Sequence, residues 1–197
     1  FNVILAGRRL VLKSPAASVV SIADPIQSPK LDGNLNDPIW EQVIKSGNQI
    51  GGWRKADGTV LTRPRTLYLA SDTNQFYVAM TVDLSRDRNI VSSQGQPEQG
   101  DHLQIDFENF SFGVDLTGKP LQILLPYQMP MEAAVTQTDD RLTLEMAVDW
   151  TQLGGQPDRN QPIRINFSGL DSVDGFVTWQ QATDARDLSR FGHIIVQ

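Results

Sequence analysis

The run Leu31-Asp32-Gly33-Asn34-Leu35-Asn36-Asp37-Pro38-Ile39-Trp40 constrains this chain more than any other stretch. Asp and Asn side chains bond their own backbone in turns, Gly accepts a positive φ, and Pro fixes the φ that follows. Two turns are therefore written back to back, and a large aromatic side chain comes straight after them. The simplest fold that satisfies this pattern is a strand that turns sharply and drops Trp40 into the core of a sandwich.

Period-two alternation recurs along most of the chain, the mark of half-buried strands. Phe76, Val78, Met80 and Val82 form one row against Tyr77, Ala79 and Thr81. Leu103, Ile105 and Phe107 alternate with His102, Gln104, Asp106 and Glu108. Leu142, Leu144, Met146 and Val148 alternate with Thr143, Glu145, Ala147 and Asp149, and Ile163, Ile165 and Phe167 with Arg164, Asn166 and Ser168. Between these runs, Asp72-Thr73-Asn74, Thr117-Gly118-Lys119-Pro120, Thr138-Asp139-Asp140 and the stretch 154–162 read as turns. The polar segment 86–100 is a surface loop long enough to carry function. A helical period is confined to Pro38–Lys45 and Trp150–Leu153. Many short strands with Gly/Pro turns predict an all-β fold, an antiparallel β-sandwich of immunoglobulin-like or jelly-roll type. Residues 29–197 are expected to form that sandwich. Residues 1–28 are either the tail of a preceding domain or an extra edge strand of this one.

Composition excludes several partners and chemistries. The 197 residues suffice for a core without staples, and the absence of cysteine removes disulfides and thiolate metal sites. A net charge of −6, with basic residues scattered as Arg8-Arg9, Arg63 and Arg65, Arg86 and Arg88, and Arg186 and Arg190, argues against nucleic acid. These arginines read as solvated surface charge. No apolar run approaches the roughly 18 residues of a membrane span. No Met opens the chain, so it reads as a processed or excised piece of a larger protein with neighbouring domains. Enzymatic activity is not expected. The acidic pairs Asp139-Asp140 and Asp171 with Asp174 fall in turns and look solvated, and no Gly-x-Ser-x-Gly elbow occurs.

From Leu31 onward the chain resembles the family 9 carbohydrate-binding modules. Leu31-Asp32-Gly33 with Trp40 matches the family's Asp-Gly to Trp opening. Tyr68, Asp72 and Phe76-Tyr77-Val78 match its Tyr-Asp strand pair, and Gly100-Asp101 leading into Leu103, Ile105 and Phe107 resembles its next strand. Glu145 with Trp150 and Leu153, Asn166-Phe167 with Asp171, Trp179, and Phe191-Gly192 follow in the family's order. The resemblance implies a β-sandwich that binds sugars without hydrolysing them, an accessory domain of a secreted or surface-bound bacterial protein, commonly a polysaccharide-degrading enzyme. Its ligand would be a polysaccharide or oligosaccharide, held between two tryptophans with charged and amide side chains on the hydroxyls.

The chain departs from that clamp. Pro97-Glu98-Gln99-Gly100 stands where the first clamp Trp is expected, and Ala185 where the second is. Gln104 replaces the family's sugar-bonding Glu, and Gly113 its Arg. A relocated sugar site would use Trp53, Trp179 or Tyr127, while Trp40 and Trp150 read as core. Structural calcium is common in the family, and Asp83, Asp87 and Asp101, with Asp106, offer hard oxygen ligands; solvated strand-end acids are the plainer reading. Haem held by Met80, Met129, Met131, Met146, His102 or His193 is a weaker alternative, since Met on an apolar strand face is usually gap filler. A structural or interaction sandwich that has lost sugar binding is the remaining one.

Overall fold

The computed structural model describes residues 2–5, 8–11, 16–21, 27–94, 96–107, 110–121, 123, 130–158, 161–179 and 191–196, with side chains from residue 27 onward. In chain order the elements are β1 (Asn2–Leu5), β2 (Arg8–Val11), β3 (Ala16–Ser21), α1 (Pro38–Lys45), β4 (Gln49–Ile50), β5 (Arg54–Lys55), β6 (Arg65–Ser71) and β7 (Gln75–Asp83). There follow β8 (His102–Phe107), β9 (Phe110–Asp115), β10 (Glu132–Gln137), β11 (Arg141–Asp149), a 3-10 turn (Trp150–Leu153), β12 (Pro162–Asp171), β13 (Gly175–Thr178) and β14 (Gly192–Val196).

Two sheets face each other. The first runs β10-β11-β7-β6, antiparallel throughout, with β4 also on β6. The second is built on β12, which pairs antiparallel with β8, β14 and β13; β9 extends it beyond β8, and β5 beyond β13. The architecture is the all-β sandwich that the alternation predicts. One strand breaks the antiparallel rule. β3 runs parallel to β14 through Ala16–Val19 and parallel to β6 through Val20–Ser21, so it bridges both sheets. Among the described residues β1 and β2 pair only with each other.

The apolar rows meet between the sheets. Phe76, Val78, Met80 and Val82 on β7 and Leu142, Leu144, Met146 and Val148 on β11 lie opposite Leu103 and Ile105 on β8 and Ile163, Ile165 and Phe167 on β12. Full burial of such a side chain contributes about 1.5–3 kcal/mol. Met80 and Met146 are thus packing residues. Phe76, Phe107 and Trp150 form an aromatic triangle with centroid separations of 5.2–6.2 Å.

Trp40 is the first departure from expectation. It is fully buried, but on the outer face of the first sheet rather than between the sheets. The helix explains this. Pro38 occupies its first turn, where a missing N–H costs nothing. Ile39, Trp40 and Val43 then fall on one helical face and pack onto Ala70, Tyr77, Ala79 and Ala147. The β7 row expected to be wet is therefore half covered.

The Asp-Gly turn is held in place by Glu145, which points out of β11 on this same face and is buried. Its carboxylate accepts hydrogen bonds from the Trp40 indole N–H (2.6 Å) and from the backbone N–H of Gly33 (2.7 Å), Asp32 (3.1 Å) and Asn34 (3.1 Å). Burial pushes this carboxyl's pKa up, against the pull of those N–H donors. Gly33 has φ +80°, and a Cβ there would lie 2.6 Å from Thr136 Oγ1 and 2.7 Å from its amide nitrogen, so only glycine closes the turn on β10. Glu145→Ala leaves these buried donors without an acceptor and is expected to cost on the order of 3 kcal/mol in urea unfolding. A loss under about 1 kcal/mol would mean that the turn is held by something else.

Candidate functional site

One end of the sandwich is pinned by buried charge. Arg63 is fully buried, and its guanidinium donates to Asp101 and Asp171 and to the Asn89 carbonyl (2.6 Å). Arg65 donates to Asp171 (2.6 Å) and to the His102 carbonyl (3.2 Å). Asp174 forms an ion pair with Lys55 (2.8 Å) and accepts hydrogen bonds from the backbone N–H of Thr62 (2.7 Å) and Arg63 (3.0 Å). The sequence reading placed Arg63, Arg65, Asp171 and Asp174 in solvent. They are buried instead, because each charge meets an opposite one, Arg63 and Arg65 across the two sheets and Asp174 within the second. Burial alone would raise the Asp171 pKa, but the two guanidiniums hold it down to about 2. His102 is buried too, which lowers its pKa to about 4. Its Nε2 accepts the Leu170 N–H (3.2 Å), and Nδ1 lies 3.3 Å from the Gly100 carbonyl, which fits a neutral ring protonated on Nδ1.

The suggested calcium ligands do not converge. Asp101 spends its oxygens on Arg63, on the Val91 N–H (2.6 Å) and on Ser172 through its N–H (2.7 Å) and hydroxyl (3.0 Å). Asp83 is exposed and caps the Ser85 N–H (2.8 Å), and Asp87 caps that of Asn89 (2.9 Å). Among the described residues no three His, Asp or Glu side chains form a metal-binding group.

The outer face of the second sheet carries Gln104, where the resemblance puts a sugar contact. A cross-strand row of Ser111, Asp106 and Asn166 lies beside it, followed by Ser168 paired with Thr178. Asp106 accepts from Gln104 (2.9 Å) and Ser111 (2.7 Å). Asp106, Asn166, Ser168 and Thr178 are buried, while Gln104 and Ser111 are half-buried. Gly113 is closed, since a Cβ there would sit 2.3 Å from the Leu103 carbonyl oxygen. No arginine fits at that position.

Two of the three aromatic candidates fall on described residues, next to the paired Arg54 and Thr178 of β5 and β13, but both pack against the core and do not stand out as an exposed platform. Trp53 is only 3% exposed, packed into the main core with the Arg65 guanidinium 5.9 Å from its ring centroid. Arg65 lies over its ring despite the small neighbours Gly51 and Gly52. Trp179 is half-buried, tilted against Phe167 at 5.6 Å. Tyr127 lies outside the described residues.

An open polar trough lies instead on the outer face of the first sheet, on the half that α1 leaves free. Thr66 pairs with Thr81, Thr81 with Thr143, and Thr143 with Thr136, so one threonine from each of β6, β7, β11 and β10 stands in a single cross-strand row. All are half-buried. Tyr68, also half-buried, rises from the adjoining row, where its neighbour across the strands is the small Ala79. Two adjoining clefts, of about 510 and about 610 Å3, share Tyr68, Thr81, Asp140 and Arg141. The Asn34–Asn36 turn and Ile44 form one wall; Asp140 and Arg141, at the β10–β11 hairpin, form the other. The sequence reading missed this site. Its signal was present in the polar rows, where Thr81 and Thr143 occupy equivalent places, but the pairing register that aligns them is set by the fold.

No protein-family model and no curated protein matches the sequence. Solved structures do match. A family 9 carbohydrate-binding module from Caldicellulosiruptor kristjanssonii, in complex with cellotriose, superposes with a TM-score of 0.63 at 19% identity, over 93% of this chain and 94% of that one. The glucose complex of a family 9 module from the same organism gives 0.62 at 18% identity, over 93% and 96%. A candidate carbohydrate-binding protein from Bacteroides uniformis gives 0.60 at 8% identity, over 94% and 100%. The chain has the family 9 carbohydrate-binding-module fold.

The buried cluster sets an acid limit on this fold. His102 has a folded pKa near 4 against an ordinary 6.5, so its contribution to stability is present above pH 6.5 and is lost as the pH falls toward 4. Asp171 extends the loss from 3.8 toward 2. Urea unfolding between pH 7 and 4 should therefore show a fall of roughly 3 kcal/mol, flattened in His102→Gln. A stability constant over that range would contradict a buried neutral His102.

Proposed function

We propose that this chain is a non-catalytic carbohydrate-binding module whose ligand lies in the trough on the first sheet. We place it, as an accessory domain, in a larger protein outside the bacterial cell or on its surface, one that acts on polysaccharide. The observation that carries the reading is the trough itself. It is open, lined by hydroxyls at the spacing of neighbouring strands, and supplied with one half-exposed aromatic ring. A pyranose presents an apolar C–H face and a rim of hydroxyls, so a tyrosine ring and flanking polar groups complement it. Threonine contributes to both needs, with a methyl group for ring carbons and a hydroxyl that donates or accepts. Arg141 adds a planar fork of N–H donors beside the Asp140 carboxylate.

Support from likeness is at the level of fold, since the C. kristjanssonii modules hold cellotriose and glucose. A scaffold role is the competing reading, favoured by the burial of Asp106, Asn166, Ser168 and Thr178 on the outer face of the second sheet and by the buried Trp53. A glycan array with the labelled chain, followed by calorimetry on the hits, separates the two. Binding is expected. Tyr68→Ala and Arg141→Ala should each weaken it about tenfold, or about 1.4 kcal/mol, without shifting the melting temperature by more than a few degrees. A blank array from folded protein would leave the domain as scaffold. Binding indifferent to Tyr68→Ala would move the ligand off this face.

A further inference from the structure

Resting on the reading of the trough as a saccharide site, we infer that it selects sugars carrying a 2-acetamido group, N-acetylhexosamine units, over sugars that carry hydroxyls alone. The two clefts of the trough meet at Tyr68, Thr81, Asp140 and Arg141 and differ beyond that junction. Thr66, Asp83 and Ser85 make the cleft of about 510 Å3 polar. The cleft of about 610 Å3 adds Leu35 and Ile44 together with the side chains of Asn34 and Asn36. Apolar surface and amide groups therefore share one wall.

The apolar part of this wall is more than the helix needs. The buried face of α1 consists of Ile39, Trp40 and Val43, whereas Ile44 is 41% exposed. A polar residue at 44 would leave that packing intact. Leu35 is half-buried and, with Tyr68, packs on the edge of the cluster beneath α1. The Tyr68 ring already offers a surface to the C–H face of a pyranose. Leu35 and Ile44 extend that surface toward the rim of the sugar, where an unsubstituted ring presents only hydroxyls. A methyl group projecting from the ring gains free energy by leaving water there, and a hydroxyl does not.

The amides specify what carries the methyl. The Asn34 amide nitrogen donates to the Asp32 carboxylate (3.0 Å), so the group it keeps for a ligand is its carbonyl oxygen, an acceptor. Asn36 is exposed and brings both donors and an acceptor. An acetamido group combines one N–H donor, one carbonyl acceptor and one methyl, which answers each element of the wall. It is also uncharged. Asp83 and Asp140 border the trough beside the single guanidinium of Arg141, so a sulfate or carboxylate substituent would meet two carboxylates.

The test is calorimetry of the full chain against the β-1,4-linked trimers of glucose, glucosamine and N-acetylglucosamine, which differ only in hydroxyl, ammonium or acetamido at C2. The methyl glycosides of galactose and N-acetylgalactosamine form a second pair, and those of glucose and 6-deoxyglucose a third. In at least one of the gluco and galacto pairs the acetylated sugar should bind about tenfold tighter than its hydroxyl counterpart. Ile44→Ser should narrow that ratio to about threefold or less with the melting temperature unmoved. Tyr68→Ala should weaken every sugar that binds. No preference for the acetylated member of either pair, with binding still dependent on Tyr68, overturns the inference and leaves the saccharide site standing. A preference that Ile44→Ser does not narrow also overturns it. So does tightest binding of the ammonium trimer, which would make the carboxylates the selecting groups. An equal gain from the 6-deoxy sugar would mean that a methyl alone is read, and overturns the amide contact. Failure of every sugar to bind overturns the saccharide reading on which the inference rests.

Discussion

A single buried guanidinium organises one end of this sandwich. Arg63 enters just before β6 in the first sheet, and its carboxylate partners come from the second. Asp171 ends β12, and Asp101 immediately precedes β8. Its third contact, the Asn89 carbonyl, belongs to the long loop between β7 and β8. Asp101 then secures the same loop again at Val91 and holds Ser172 in the β12–β13 turn. Buried ion pairs are a weak source of net stability, because desolvation cancels much of their attraction. Their geometry is nevertheless unforgiving, since an unpaired charge at this depth would be costly. The cluster therefore sets the relative position of the two sheets and the path of the 86–100 loop.

Glu145 plays the corresponding part on the outer face of the first sheet. A turn of Asp, Gly and Asn directs three successive N–H groups at one point, and a carboxylate on β11 receives them together with the Trp40 indole. This explains why the Asp-Gly to Trp opening and the Glu…Trp…Leu segment occur in the same chain. They are two halves of one hydrogen-bonded unit, more than a hundred residues apart in sequence. The unit also builds the trough, because the turn it anchors forms one wall and closes against Thr136.

Strand content was legible from the residues because the row facing the opposite sheet is apolar at every second position. Phe76 to Val82, Leu103 to Phe107 and Ile163 to Phe167 all show it, and Pro38 marks the start of α1. Partnerships across long sequence separations were not. Asp101 reads as a solvated strand-end acid, or at most a metal ligand, because nothing nearby in sequence announces Arg63, and an exposed Trp53 stays open as an alternative because Arg65 is twelve positions away. Trp40 was rightly read as buried but assigned to the wrong core. The turn pattern states that an aromatic must be buried without stating on which side of the sheet. The threonine row failed for a similar reason. Each threonine is ordinary on its own strand, and only the register of four strands makes them a line.

A sandwich offers two outer faces, and this one uses them unequally. The second-sheet face, where the resemblance puts the sugar contacts, is a mostly buried polar row beside a glycine with no space for a side chain. Restoring Arg at Gly113 would require β8 and β9 to move apart, so the departure is built into the backbone and is not a single exchanged residue. The first-sheet face is half occupied by α1, and the helix's short length leaves the other half open. Aromatic and hydroxyl side chains there have no structural duty that competes with ligand contact, apart from Thr136 and the inner edge of Tyr68. A relocated binding face is therefore most economical where the helix ends, since a ligand there is met by strands already rigid in the sheet.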